Sequence, residues 1–376
     1  MQVVAGHWLC IGGVMLRCRV ILLGVMLTFF SGRGQTVIAY YSGDARAIDK
    51  YPVGQLTHII YAFCYLKGDV LALGRRADSL VLEKLVGLKK KHPSLKILLS
   101  LGGWGGCKTC SNVFSTAEGR EDFARSVLEM THYFHTDGID LDWEFPTLGG
   151  YPGHPFREED KANFTALLRV LRSILGPSKE ISFIAAGFSP YLQGSIDLVS
   201  AAGIADRINL MTYDMIGSRS PVTGHHTALY STSRQQESAD NAIRYLDSLG
   251  IPHQKIAIGA AFYGRRWEKV GDKERGLYQP GIFAGFVSMR MIRQKYRFGN
   301  GYRQYWDDNA QAPWLYNAAR KIFITYDDER SVAAKADYVK KEGLNGIMFW
   351  ELRLDVPQNG LLSVISQNFH KSESDR

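Results

Sequence analysis

Cysteine is scarce in this chain, at five of 376 residues, and two of the five, Cys10 and Cys18, lie in an N-terminal stretch with the character of a leader. Cys64, Cys107 and Cys110 remain. The C-K-T-C spacing of the last pair suits a redox couple or half of a zinc site, yet no second CxxC and no paired histidine cluster completes one, so no metal is expected. In an exported chain a local loop disulfide is the better expectation. Cys64, inside the apolar run HIIYAFCYL, is expected to be a core thiol. The chain also lacks internal repeats, low-complexity linkers and a glycine-rich phosphate turn after its first strand-like run, which argues against an open doubly wound nucleotide fold. Apolar runs long enough to span a bilayer are missing too: residues 20–30 are too few for a transmembrane helix. Preceded by Arg17 and Arg19 and followed by Ser31, Gly32 and Gly34, they read as the core of a signal peptide covering residues 1–34, with Met15 as an alternative start.

Excess charge is small. The formal +8 falls to +5 once the leader's three arginines, with no acids among them, are removed, which is modest for this size and implies no nucleic-acid partner. The basic runs at 88–96 and 291–298 read as solvated helix faces.

What the chain does have is apolar and aromatic mass, 45% and 12% of its residues, enough to bury a large core. Its organising stretch is DGIDLDWEFP, residues 137–146. Ile139, Leu141 and Trp143 alternate with Asp140, Asp142 and Glu144, so the two-residue period of a strand puts three carboxyls on one face. Ionised acids facing a packed interior must share protons or shift their pKa values, as in a catalytic site. Asp140 and Glu144 are about 13 Å apart along such a strand, so Glu144, nearest its C-terminal end, is the acid a ligand reaches. A Ca²⁺ loop would need Gly or Asn turn chemistry where Ile, Leu and Trp stand.

From residue 37 onward short apolar runs alternate with helical patterns. The runs are VIAYY (37–41), LTHIIYAF (56–63), KILLSLGG (96–103), the acidic strand, ISFIAAGF (181–188), RINLMTYD (207–214), KIAIGAAFYG (255–264) and GIMFWEL (346–352). Near-continuous apolar runs imply strands covered on both faces. Helices are expected at 77–91, at 116–134 behind a capping box at Ser115 and Glu118, at 158–175, and at 234–249 behind Ser233 and Gln236. Eight strands with crossovers fit an α/β fold, a (β/α)8 TIM barrel spanning 35–370. Excess length between the seventh and eighth strands, residues 265–324, reads as a small α+β insertion above the barrel mouth, and 371–376 as a polar tail.

Active residues of such barrels come from the C-terminal ends of strands. That criterion selects Glu144, Met211, Tyr213, Asp214, Tyr263, Arg265, Trp350 and Glu351, with Tyr41, the Ala62–Phe63 pair and Trp104 as further substrate-binding candidates. Aromatics around one reachable acid suit the flat faces of a neutral sugar. Ordinary glycosidases place two carboxyls on opposite sides of the sugar. Here they rise from one strand, so the carbonyl of a 2-acetamido group on the substrate is the expected nucleophile. Glu144 would protonate the leaving oxygen, Asp142 would orient the acetamido N–H with Asp140 below it, and Tyr213 would donate to the acetamido oxygen.

These residues resemble glycoside hydrolase family 18, the chitinase family. DGIDLDWEFP is similar to its signature DGxDxDWEYP, with Phe145 in place of Tyr. LSLGGW (99–104), the helix at 158–172, MTYD (211–214), FYGR (262–265), FITYDD (323–328) and GIMFWEL extend the likeness along the chain in order. The resemblance implies Glu144 as acid, Asp142 and Asp140 as its supporting pair, Tyr213 and Asp214 on the acetamido sugar, Trp350 as floor, and Met211, Tyr263 and Arg265 lining the cleft. By alternation Asp214 points away from Tyr213 unless the strand ends first. A secreted, monomeric, cofactor-free enzyme cutting chitin or N-acetylglucosamine oligosaccharides is expected, extracellular or, in a bacterium, periplasmic, with no membrane contact once the leader is gone. The competing expectations are an endo-β-N-acetylglucosaminidase of glycoprotein glycans and a carbohydrate-binding lectin.

Overall fold

The computed structural model describes residues 34–371, so the expected signal peptide, apart from Gly34, and the tail beyond Lys371 lie outside the described residues. In chain order the strands are β1 (Thr36–Tyr41), β2 (His58–Lys67), β3 (Val70–Ala72), β4 (Lys96–Gly102), β5 (Gly138–Asp142), β6 (Glu180–Ala186), β7 (Arg207–Met211) and β8 (Ile256–Ala261). They are followed by β9 (Tyr263–Glu268), β10 (Ile282–Ser288), β11 (Arg303–Asp307), β12 (Ala312–Asn317), β13 (Ile322–Thr325) and β14 (Gly346–Trp350). Eight of these form one parallel barrel, β1-β2-β4-β5-β6-β7-β8-β14, closed by β14 pairing back on β1. Short β3 folds antiparallel onto the end of β2. The barrel strands are buried along nearly their whole length, the condition under which apolar runs need no polar alternation. No helix among the described residues is long and apolar enough to cross a membrane.

Between β8 and β14 sits a second sheet, antiparallel throughout, in the order β10-β9-β13-β12-β11, with the α-helix Met289–Lys295 between β10 and β11. It has its own small core of Trp267, Val270, Leu277, Trp314, Tyr316 and Phe323. Its first strand takes residues that the sequence run 255–264 assigns to the barrel: β8 stops at Ala261, the Phe262 N–H donates to Trp350 O at 2.9 Å, and Tyr263 begins β9.

Two helix starts differ from the expected ones. Helix Ala117–Phe134 is capped by Thr116, whose Oγ1 accepts from Gly119 N at 3.0 Å. Ser115, the expected cap, instead donates to Asn112 O. Helix Ala239–Ser248 begins behind Ser238, because residues 232–235 turn back on themselves and the Gln235 side chain donates to the carbonyls of His225 and Glu237. Capping chemistry lies at both places, but neighbouring hydroxyls compete for the role.

Candidate active site

The acids face inward because the other face of β5 is claimed by helices. Trp143, in phase with Ile139 and Leu141, packs against Phe114 and Phe164 with ring centroids 5.6 and 6.3 Å away, which turns Asp140 and Asp142 into the barrel. Parallel register sets Ser100 and Ser182 beside Asp140, and Gly102 beside Asp142. Gly102 is required there: its φ is +112°, and a Cβ would stand 2.0 Å from Asp142 O.

Fully buried Asp140 accepts four hydrogen bonds. Tyr40 OH (2.8 Å) and Ser100 Oγ (3.1 Å) donate to Oδ2, and Ser182 Oγ (2.6 Å) and Asn209 Nδ2 (2.9 Å) to Oδ1. The Asn209 amide is oriented from below by Arg207, whose Nε donates to Asn209 Oδ1 at 3.0 Å and whose charge is met by Glu180 at 2.5 Å. Burial raises the Asp140 carboxyl above the usual range while these donors oppose the rise. Asp142, above it, has no hydrogen-bond partner on Oδ1 and shares a side-chain hydrogen bond with Glu144. Burial first, then the charges of Glu144 and Asp140, push Asp142 well up. Partly exposed Glu144, two residues past the strand end, is pushed up to about 8 by burial and by the charge of Asp214. The pair is built to hold one proton at neutral pH, with its outer member presented to the mouth.

Across the mouth, β7 ends at Met211, which is half-buried, and the chain carries Tyr213 and Asp214 beyond the strand. Asp214 sits at φ 57°, outside strand geometry, so alternation does not turn it away from Tyr213. Tyr213 OH lies 3.7 Å from Met348 Sδ, and its ring meets Tyr263 edge-on at 6.1 Å. Burial raises the hydroxyls of Tyr213 and Tyr40, keeping both as protonated donors. Asp214 accepts from Arg265 Nε at 2.6 Å and also from Arg265 Nη2, with His226 Nδ1 at 3.4 Å. Against burial, which would raise it, His226 and Arg265 hold the Asp214 carboxyl well below the usual range.

Trp350 ends β14, stacked with Phe63 at 5.5 Å and tilted on Tyr40 at 5.9 Å. Its neighbour Phe349 faces the other way, fully buried and stacked on Phe262 at 4.1 Å. Glu351 is tied to the end of β1, accepting from Ser42 N (2.9 Å) and Ser42 Oγ (2.8 Å). Trp104 stands 56% exposed, edge-on to Tyr151 at 5.7 Å, three residues before the short loop that the Cys107–Cys110 disulfide closes. Cys64 is a buried free thiol.

One candidate is corrected. Tyr41 is fully buried and donates its hydroxyl to Asp44 O at 2.5 Å, so it has no face to offer a ligand; Tyr40, the other parity of β1, is the tyrosine that reaches Asp140 and Trp350. The structure adds Tyr40, Ser100, Ser182, Asn209 and His226 to the residues the sequence singled out. Ser100, Ser182 and Asn209 each interrupt an apolar run, and a polar residue inside a doubly covered strand is a legible mark of an inward polar partner. Among the described residues no group of three His, Cys, Asp or Glu could hold a metal. A cavity of about 630 Å³ behind helix Met289–Lys295, lined by Tyr296, Arg297 and Tyr302 among others, contains none of the residues above.

Residues 36–355 match the model of the family described as Glycosyl hydrolases family 18. Chitinase A1 of Niallia circulans is 37% identical over 298 residues, 73% of this chain and 42% of that protein. Chitotriosidase-1 of Mus musculus is 30% identical over 80% of this chain and 67% of its own length. A family 18 N-acetylglucosaminidase from Paenibacillus barengoltzii superposes with a TM-score of 0.81 at 35% identity, covering 89% of this chain and 99% of that one. The chain thus spans less than half of the Niallia protein but nearly all of the Paenibacillus structure.

Proposed function

This chain belongs to the glycosyl hydrolases family 18, and from that premise we propose that it hydrolyses β-1,4 bonds between N-acetylglucosamine units of chitin or its oligomers, with the substrate's own acetamido group as nucleophile. One observation carries the reading: among the described residues no free carboxylate stands opposite the acid. Glu144 and its partner Asp142 lie on one side of the mouth, Asp214 is spent on Arg265 and His226, and Glu351 on Ser42. A pair of carboxyls acting on both faces of a sugar, as in most glycosidases, therefore lacks its second member.

In the proposed sequence Glu144 gives its proton to the glycosidic oxygen as the acetamido carbonyl oxygen bonds to the anomeric carbon and the glycosidic C–O bond breaks. The Asp142 carboxylate, then relieved of the shared proton, holds the N–H of the cyclic oxazolinium ion, while Tyr213 donates to its oxygen. Water next attacks the same carbon and returns a proton to Glu144, so two inversions restore the β configuration. The stacked Trp350 and Phe63 fit the apolar face of the sugar at the cleaved bond. We place this activity in a secreted, monomeric enzyme without a cofactor.

NMR of fresh products tests the reading, using acetylated oligomers, the same oligomers deacetylated, and a high-mannose glycopeptide. The expected result is β-anomer first from the acetylated oligomers and no cutting of the other two. An α-anomer appearing first, or deacetylated chains cut equally fast, would rule out the substrate as nucleophile; release of glycan from the glycopeptide would favour the glycoprotein endoglycosidase. Product lengths in the same spectra separate internal cutting from release of single sugars, the activity named for the Paenibacillus neighbour.

A further inference from the structure

Formal charge is spread unevenly along the chain. Residues 263–325, from the start of β9 to the end of β13, hold twelve arginines and lysines against five acids, which leaves 33 against 32 for the rest of the sequence. The insertion therefore carries +7 of the chain's formal +8, and an asymmetry of that size marks the surface that meets an anionic partner. Part of the excess is structural. Arg265 holds Asp214, Arg290 donates to the carbonyls of Arg353 and Asp355, and Arg293 pairs with Glu329. Arg297, Arg303 and Arg320 have no such duty: all three are exposed, and none has a carboxylate partner among the described residues.

These three arginines converge on β11, the edge strand of the second sheet farthest from β10. The cavity of about 630 Å³ behind helix Met289–Lys295 is lined by Arg297 and Arg303, and a second one of about 470 Å³ by Arg303 and Arg320. Arg303 and Tyr305 line both. The two acids of the larger cavity are already engaged. Glu329 is held by Arg293, and the Asp328 carboxylate accepts from Gln304 Nε2 at 2.7 Å and from Ser331 N at 2.8 Å. The smaller cavity has no acid in its lining. Aromatic rings stand among the guanidiniums. Tyr296 meets Tyr302 edge-on at 5.1 Å, Tyr305 is stacked on Trp314 at 5.3 Å, and the hydroxyls of Tyr296 and Tyr305 make no hydrogen bond among the described residues. Phe298, next to Arg297 in the chain, is 80% exposed.

We propose that the β11 edge of the insertion binds a second kind of polysaccharide, acidic rather than neutral, whose sugar rings carry carboxylate groups. Cavities of these volumes are the size of ligand sites, and they are concave where a lipid surface is flat. Every cation lining the two cavities is an arginine. The planar guanidinium fork matches a planar carboxylate, which a lysine ammonium does not. Tyrosine rings with unbonded hydroxyls supply what a sugar ring also needs, an apolar face to lie on and a polar edge beside it. Neither cavity includes a residue of the candidate active site, so occupancy leaves the mouth free. The proposal therefore stands whether or not the acetamido reading of the mouth holds.

Isothermal titration calorimetry at low salt tests this with polygalacturonate oligomers as the acidic probe, beside duplex DNA and phosphatidylglycerol vesicles. The unaltered protein is compared with three variants. One combines Arg297→Gln, Arg303→Gln and Arg320→Gln; a second removes the same charge elsewhere, at the exposed Lys67, Lys90 and Lys91, each changed to Gln; the third is Arg303→Lys. The arginine triple variant is expected to bind polygalacturonate at least about tenfold more weakly, the loss of more than one guanidinium–carboxylate contact. The lysine triple variant should stay within about twofold of the parent, as expected of surface charges far from the ligand. Arg303→Lys keeps the charge without the fork and should weaken binding by about threefold. Melting temperature and turnover of N-acetylglucosamine oligomers should hold in all three, and the neutral hexamer should not displace polygalacturonate. Failure of the unaltered protein to bind polygalacturonate would overturn the proposal. So would an equal loss in the lysine variant, Arg303→Lys binding as tightly as the parent, or displacement by the hexamer. DNA or vesicles held more tightly than polygalacturonate through the same arginines would assign the surface to another macromolecule and overturn it as well.

Discussion

Glu144 keeps its proton because charging it means burying a carboxylate in a poorly hydrated mouth and setting it near the charge of Asp214. Replacing it with glutamine keeps the shape and removes the proton, so turnover should fall by at least about 10²-fold with oligomer binding retained. The same substitution has a signature in stability. The folded carboxyl titrates near 8 against its ordinary 4.5, so the stability it contributes is fully present below 4.5 and is lost as pH rises through 8. Glutamine cannot charge, and thermal melts should show the variant gaining on the parent protein across that window; a gap that stays constant with pH would contradict the raised pKa. Trp350 and Phe349 provide a paired test of orientation. Trp350→Ala should weaken oligomer binding by about 1–3 kcal/mol, whereas Phe349→Ala should cost about 3–5 kcal/mol of fold stability through loss of a buried ring. Calorimetry and urea titration separate the two, and the assignment fails if the effects are exchanged. Residue-level legibility depended on what set the phase. In β5 the acids mark the inward parity, so the face they share was readable from spacing. In VIAYY every residue is apolar or aromatic and buried, so alternation says that Tyr40 and Tyr41 differ but not which one faces the acids.

Strands and helices meet at polar staples that apolar patterning does not announce. Lys335, in helix Glu329–Glu342, and Asp327 are both fully buried, with Nζ 2.8 and 2.6 Å from the two carboxylate oxygens. Asp327 also accepts from Ala261 N (2.9 Å), the last residue of β8, from Thr227 Oγ1 (3.0 Å) and from Ser331 Oγ (2.6 Å). One carboxylate therefore fixes where the barrel strand stops, where the next helix starts, and where the segment carrying His226 lies. Lys335→Met would leave that carboxylate buried and uncompensated, and a cost of about 3–5 kcal/mol is expected in urea unfolding. Adding Asp327→Asn should return part of it, because the stranded charge is then gone. A loss below about 1 kcal/mol from Lys335→Met would mean that water reaches the pair. In the sequence FITYDD stood out only as a resemblance, since the partner of Asp327 is eight residues on in a helix and its other ligands are far away along the chain. Strand existence was legible from apolar runs, but strand ends were not. β5, β7 and β8 stop earlier than their runs suggest, because the chain leaves the barrel wherever a side chain must be delivered to the mouth rather than to a neighbouring strand.

At the scale of the whole molecule, the barrel carries the acids and the inserted sheet carries the cation that holds Asp214. Excess length between the last two barrel strands made an insertion readable. Its antiparallel topology was not, because short strands of mixed burial such as β10 and β11 have no clean period. That topology permits an economical truncation. β9 and β13 are antiparallel neighbours, with Trp267 opposite Phe323 and Arg265 opposite Thr325, so a tight turn joining Glu268 to Ile322 can replace everything between them. Such a variant keeps Tyr263, Arg265 and the Asp327 staple, and loses β10 to β12 together with Val270, Leu277, Trp314 and Tyr316 from the small core. It should melt earlier than the full chain, since Trp267 and Phe323 lose their cover. If the inserted sheet is a wall along which sugars align, the variant should still cut the shortest oligomers at a rate within about tenfold of the full chain, with the Glu144 site intact, while hydrolysis of long chains falls much further. Measuring kcat/KM on short oligomers and on soluble polymer, with circular dichroism to show that the barrel is folded, decides between wall and scaffold: an equal loss on both substrates by a folded variant would mean that the sheet serves only to hold Arg265 in place.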